Sequence, residues 1–399
     1  HSSHLFGKTV LGLTNRFPRA NEAFRTALFA IPFYHSRGFQ KITHATDSEM
    51  ALMDRSVKNL RSVGVKKPLA LGLDTSLAQV ALSLNRRNPD AYATKSDFYE
   101  RHPRPDRLDR LPADSKPAVW WNLRYKNRWL SDGSVVSGNP VFTNILWNEV
   151  GRGADLQEID AWLDQNPRII EELTTAVFSA EAPPMTDFFD AEEFDLPRAQ
   201  EGQKLFNTTC ARCHGTYEKA WDRADASSLS KKELLKTTMV RYHQKTPVID
   251  VGTDPLRHQG MTSLEKLNDL VVSQKQGTVI RPQKGYVPPP LVGIWARWPY
   301  FHNNSAPSLC AVLTRGPERP VVYYSGEAKD PKTDFDQDCN GYPLGAKTPA
   351  AWKTREHRYD TRTKGMSRFG HDEGVFLKND RELFTPDQKK SIIRFLQTL

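Results

Sequence analysis

The sequence predicts a mostly α-helical chain of two domains, with long loop insertions and little β structure. Three observations carry that expectation. The chain has 399 residues, more than one domain of ordinary size usually holds. Apolar residues recur at helical spacing in several separate stretches. Its 23 glycines and 27 prolines favour long ordered loops over a tight helical bundle, while 38% apolar residues suffice for sizeable cores.

Taken in order, the N-terminal domain is expected over 1–180, with helices near 47–63 and 156–178. Between them "DGSVVSGNP" reads as turns and loop, since Gly, Asn and Pro punctuate it. The acidic, proline-containing stretch at 181–196 is the expected linker, and a second domain follows over 197–399. It opens on "AQEGQKLF", where Ala199, Gly202, Leu205 and Phe206 recur at helical spacing. Residues 277–365, rich in Pro and Gly, are expected to form an elaborated loop layer. The chain closes on "TPDQKKSIIRFLQTL". There Thr385 caps a helix, Pro386 takes its first position and Gln388 stands three after the cap. Ile392, Ile393, Leu396 and Leu399 make its apolar stripe.

Net charge is +9, with Lys and Arg spread along the chain and no basic run or known nucleic-acid module. That argues against a nucleic-acid partner and suits a surface that steers an acidic redox protein. No run of 18 apolar residues suggests a transmembrane helix. The first residues lack the charged-then-apolar pattern of a secretory leader, so the chain is expected to be mature or to lack its start.

The strongest signal is "CARCHG", residues 210–215. C-x-x-C-H is the attachment pattern for c-type haem. Cys210 and Cys213, about one helical turn apart, can add across two vinyl groups on one porphyrin edge, and His214 then offers an imidazole nitrogen to the iron. A zinc site is the main rival, but it needs four ligands, and Cys310 and Cys339 are too far apart to form a second knuckle. A thioredoxin-like C-x-x-C would follow a strand, whereas this one ends a helix-like segment. In c-type cytochromes the helix before the motif crosses the terminal helix, and Gly202 would permit their close approach. Covalent haem is assembled outside the bacterial cytoplasm, where disulfides survive. Cys310 and Cys339 are therefore expected to be bonded, closing a loop of about 30 residues for roughly 3.6 kcal/mol. For the second axial position the candidates are Met261, His302, His357, Met366 and His371.

Five stretches together carry a resemblance: "KPAVWWNLRYKNRWLSDGSV", "CARCHGTYEKAW", "VGTDPLR", "PPPLVGIWARWPYFHNNSAPSL" and "RFGHDEGVFL". The chain resembles the rubber-oxygenase-like branch of the dihaem cytochrome c peroxidase superfamily. The resemblance implies two cytochrome c-like domains, one haem reactive and the other six-coordinate and handling electrons. It implies that His214 is the proximal ligand of the C-terminal haem and His371 its distal ligand, with Met366 next. It also implies a role for Trp121 near the reactive haem, as an electron relay or the wall of a dry cavity, where ordinary core packing of Trp120 and Trp121 is the plainer reading. One departure is plain: there is no second C-x-x-C-H. The opening "HSSHLFGKTVLGLTNRF" nevertheless looks like the stretch that follows the first haem motif in that family. His1 is then expected to be the histidine of a motif whose cysteines lie upstream, with His4 a lesser candidate. Calcium at the domain junction is a further implication, although no loop shows an assignable ligand pattern.

These readings converge on an extracytoplasmic (periplasmic or secreted) haem oxidoreductase, a peroxidase or oxygenase, acting on a small-molecule or apolar substrate. The alternatives are an electron-transfer cytochrome serving a small redox partner, and a subunit whose N-terminal domain only docks another oxidoreductase.

Overall fold

The computed structural model describes residues 2–31 and 36–399. Alpha-helices of eight residues or more span Ala20–Ala30, Ser36–Thr43, Asp47–Leu60, Ser76–Leu84, Pro140–Gly151, Leu156–Gln165, Ile169–Phe178, Leu196–Thr209 and Pro386–Leu396, and a 3-10 helix spans Met261–Asp269. Strands pair among the described residues only as two-stranded antiparallel ribbons. The chain is therefore mostly α, as its patterning predicts.

Local chemistry explains most helix boundaries. Thr46 and Glu49 form a capping box ahead of Asp47–Leu60. The helix expected over 156–178 is in fact two, Leu156–Gln165 and Ile169–Phe178. Pro167 lacks an N–H and biases the residue before it away from helical geometry, and Asn166 sits at φ −126°, ψ 59°. "DGSVVSGNP" is not all loop: Val135–Ser137 pairs with Val279–Ile280. Asn139 then accepts from the Val141 and Phe142 amides and starts the next helix, with Pro140 at its first position.

Two apolar cores result. The smaller joins the helices Ser76–Leu84 and Pro140–Gly151 to Met261, Leu264, Leu267 and Ile280. The larger takes in Leu5, Leu13 and Trp121 together with most buried residues after Met185. The acidic stretch around 181–196 lies on this larger core: Met185 and Phe194 are buried, and the Trp295 indole donates to the Pro183 carbonyl at 2.7 Å. Residues 277–365 hold only short turns and strands of two to four residues. Their order comes from buried aromatics, with Tyr323 stacked on Tyr359 at 4.8 Å and on Tyr342 at 5.9 Å, and from the Cys310–Cys339 disulfide.

The motif helix Leu196–Thr209 crosses the terminal helix Pro386–Leu396 at very short range. A Cβ on Gly202 would lie 1.9 Å from the Ser391 carbonyl oxygen. Phe206 meets Phe395 at 5.3 Å, Arg198 pairs with Asp387 at 3.1 Å, and the Ser391 hydroxyl donates to Glu201 at 2.8 Å. Asp195 caps the first helix and the Thr385–Gln388 box caps the second. Gly202→Ala gains about 1 kcal/mol of helix preference, but overpacking against backbone costs about 1–3 kcal/mol. Since the carbonyl cannot swing aside, the net effect on stability should be a loss, read as a lower midpoint in urea; a higher midpoint would contradict the close crossing.

Candidate functional site

The motif helix delivers the site. It ends at Cys210, and a further turn, Ala211–His214, carries the chain through the second cysteine to the histidine. The Cys213 and His214 amides both donate to the Cys210 carbonyl, at 3.1 and 3.0 Å, which fixes the two thiols one turn apart on one face. Both thiols are free. Burial pushes the Cys210 thiol up to about 12, opposite to the lowering that a redox-active C-x-x-C requires. Cys310 and Cys339 are bonded to each other and are lost as zinc ligands. Among the described residues no group of three or more His, Cys, Asp or Glu stands together as a metal site.

His214 is oriented by a shelf of carbonyls. Its Nδ1 is 2.8 Å from the Pro289 oxygen. The flanking carbonyls have their own donors: Tyr242 on Pro288 at 2.6 Å, Asn122 on Pro290 at 2.8 Å and the Trp121 indole on Val292 at 2.9 Å. Tyr217 locks the shelf to the motif, its hydroxyl donating to the His214 carbonyl and accepting from the Leu291 amide. An imidazole that donates one N–H to a carbonyl is held in a single tautomer, with the other nitrogen left as an acceptor or ligand. Burial lowers the His214 pKa to about 4, so the ring is neutral at ordinary pH.

Facing it is His371. The two ring centres are 6.3 Å apart, inclined at 56°. His371 sits at φ +57°, beyond Gly370 at φ +84°, where a Cβ on the glycine would lie 2.3 Å from the backbone of Gly252 and Thr253. The His371 amide donates to the Val251 carbonyl at 2.7 Å. "VGTDPLR" and "RFGHDEG" thus meet backbone to backbone. Arg319, 1% exposed, clamps the loop through Nη1 to the Arg368 and Gly370 carbonyls and lies 5.0 Å over the Phe301 ring, itself 5.6 Å from His371. Burial lowers the His371 pKa to about 3, and its Nδ1 has no hydrogen-bond partner in the chain.

These residues fit a c-type haem. Two free thiols stand one turn apart, and two neutral imidazoles face each other, one with an orphaned buried nitrogen. Metal–nitrogen bonds of about 2 Å on opposite sides of one ion put imidazole centres roughly 6 Å apart.

The other sequence candidates lie elsewhere. Met261 is fully buried in the smaller core, and Met366 packs in the larger. His302 stacks on Tyr286 at 3.8 Å; His357 is 2.8 Å through Nδ1 from the Ser325 carbonyl. His4 faces Thr9 across the exposed N-terminal ribbon. His1 lies outside the described residues. Trp121 is fully buried and acts on the shelf that receives His214. Sequence reasoning missed the role of that shelf, although "PPPLV" carries a signal: consecutive prolines offer carbonyls and no amide hydrogens.

Residues 285–324 match the family model described as RoxA-like, cytochrome c-like. The matched segment contains the shelf, Phe301 and Arg319. It supports the resemblance to rubber-oxygenase-like cytochromes and implies haem c. Two uncharacterized proteins of Sinorhizobium fredii (strain NBRC 101917 / NGR234) are similar over most of the chain. One, y4iJ, is 32% identical over 339 residues, 70% of this chain and 52% of its own length. The other, y4iM, is 23% identical over 337 residues, 78% of this chain and 69% of its own length. The chain thus spans about half of the first relative.

In the haem-free chain a pH dependence follows from the two half-buried imidazoles, His214 and His371. Their folded pKa values, about 4 and about 3, lie below the ordinary 6.5. As pH falls, the unfolded chain takes up protons first, so this contribution to stability is complete above about 6.5 and is lost progressively towards about 4. The urea midpoint should therefore fall between pH 7 and 4.5, and less steeply in His371→Ala. Parallel slopes would contradict the neutral, half-buried pair.

Proposed function

We propose that the protein is an extracytoplasmic c-type haem oxidoreductase, peroxidase- or oxygenase-like, whose haem at Cys210, Cys213 and His214 stores or relays electrons. The observation that carries the electron-handling part is the 6.3 Å spacing of His214 and His371. A haem held between these two imidazoles would have no open position for dioxygen or peroxide and would supply one-electron exchange. The chain's own residues do the remainder. Pro289 fixes the His214 tautomer, burial keeps both rings unprotonated, and Arg319 holds the loop that brings His371 opposite. Rigid support on both sides limits rearrangement when charge changes.

In the same reading, substrate chemistry belongs to a second haem in the N-terminal domain, with His1 as its motif histidine and Trp121 between the two centres. The division into cytochrome-like units at 1–180 and 197–399, joined by 181–196, is part of the proposal; packing exchanges segments across it, Trp121 joining the larger core and Met261 the smaller. The Cys310–Cys339 bond supports an oxidising compartment. A small-molecule or apolar substrate and a small redox partner complete the assignment.

An electron-transfer cytochrome without substrate chemistry is the second reading, favoured by the double axial occupancy and the +9 net charge. Pyridine haemochrome analysis of the purified protein separates the two. Two haems per chain, one of them high-spin and responsive to peroxide or dioxygen, is the expected result. One low-spin haem makes the protein an electron carrier.

A further inference from the structure

Three cations stand beside the shelf that orients His214, and among the described residues none of them is paired with a carboxylate. Lys116 donates through Nζ to the Arg297 and Pro299 carbonyls at 2.6 and 2.5 Å. Arg16, 5% exposed, donates through Nη2 to the Ala296 carbonyl at 2.8 Å and lies 3.9 Å over the Trp298 ring. Its Nε and Nη1 are buried and have no hydrogen-bond partner. Arg297 donates through Nη1 to the Pro290 carbonyl at 3.2 Å, and its buried Nε is likewise orphaned.

Uncompensated interior charge is costly, by several kcal/mol per ion. Burial lowers Arg16 and Arg297 to about 10 and Lys116 well below its usual value. All three grip one segment, Pro290–Pro299, which continues directly from the carbonyl that receives His214. The Arg297 charge also bears on His214 itself. The orphaned guanidinium nitrogens are donors without acceptors, and guanidinium forks match carboxylates in particular.

We propose that Arg16, Lys116 and Arg297 form the carboxylate-binding edge of the porphyrin pocket, pairing with the propionates of the haem bonded to Cys210 and Cys213. This rests on the haem assignment above. Those two carboxylates would satisfy the orphaned donors, balance the interior charge and hold the ring against rotation. Fixed cations at that edge would also favour the added electron.

Resonance Raman spectroscopy of the haem-loaded protein reads the propionate bending mode, which responds to hydrogen bonding at those carboxylates. The mode should shift between H2O and D2O in the wild type and shift again in Arg297→Gln, while Arg297→Lys stays near the wild-type position. The midpoint potential should fall in Arg297→Gln and be retained in Arg297→Lys. Loaded protein whose propionate mode ignores both D2O and Arg297→Gln would overturn the proposal, leaving the cations to a free carboxylate instead. Arg16→Gln, at the second guanidinium with orphaned nitrogens, reads the same mode should Arg297→Gln fail to fold. Absence of covalent haem mass on wild-type Cys210 and Cys213 is a separate failure, which removes the haem assignment together with the proposal.

Discussion

The hydrogen bond between His214 and the Pro289 carbonyl is the constraint on which the site depends. A histidine following C-x-x-C on a short helical turn is otherwise free to rotate and to choose either tautomer. Once Nδ1 is committed to Pro289, the remaining nitrogen is a lone-pair donor with a set direction. Everything that fixes Pro289 therefore fixes the His214 ring. Tyr242, Asn122 and Trp121 each hold a neighbouring carbonyl, and Arg297 adds a second contact to Pro290. The polar atoms of an N-terminal segment and of the motif region thus converge on one short proline run. Removing the Tyr242 or the Trp121 donor leaves its carbonyl without a partner and loosens the shelf, whereas Pro290 keeps one of its two donors.

The opposite face is built by a different device. His371 lies in the left-handed region, on a loop held by backbone contact at Gly370 and by the buried Arg319 clamp. One imidazole comes from a helical turn whose thiols are fixed by the motif, the other from a loop fixed by a guanidinium. The close crossing of the motif and terminal helices at Gly202 sets the first of these against the larger core. The disulfide and the stacked tyrosines order the loop layer between them. Stability and site geometry share residues throughout, so a core change here is also a change in ligand placement.

Much of this was legible in the sequence where the physics is local. The C-x-x-C-H spacing, the Thr385–Gln388 box, the Ile392–Leu399 stripe and Gly202 depend on neighbours within a turn or two, and each reads directly. His371 could be singled out only through the resemblance, because its opposition to His214 is made across the loop layer. The Val135–Ser137 strand was hidden for the same reason, since its partner is Val279–Ile280 and nothing in "DGSVVSGNP" encodes that pairing. The break at Pro167 is legible in the residue itself, which lacks the N–H a continuous helix needs. The carbonyl shelf and the cations around it are products of tertiary assembly, and their only sequence trace is the proline run.

The most direct test of the opposed-histidine site is near-infrared magnetic circular dichroism of the ferric protein, whose charge-transfer band distinguishes axial ligand pairs. A low-spin band at the position of bis-imidazole coordination is the expected result. A band at the imidazole–thioether position, or a purely high-spin spectrum, would show that His371 does not share the iron with His214.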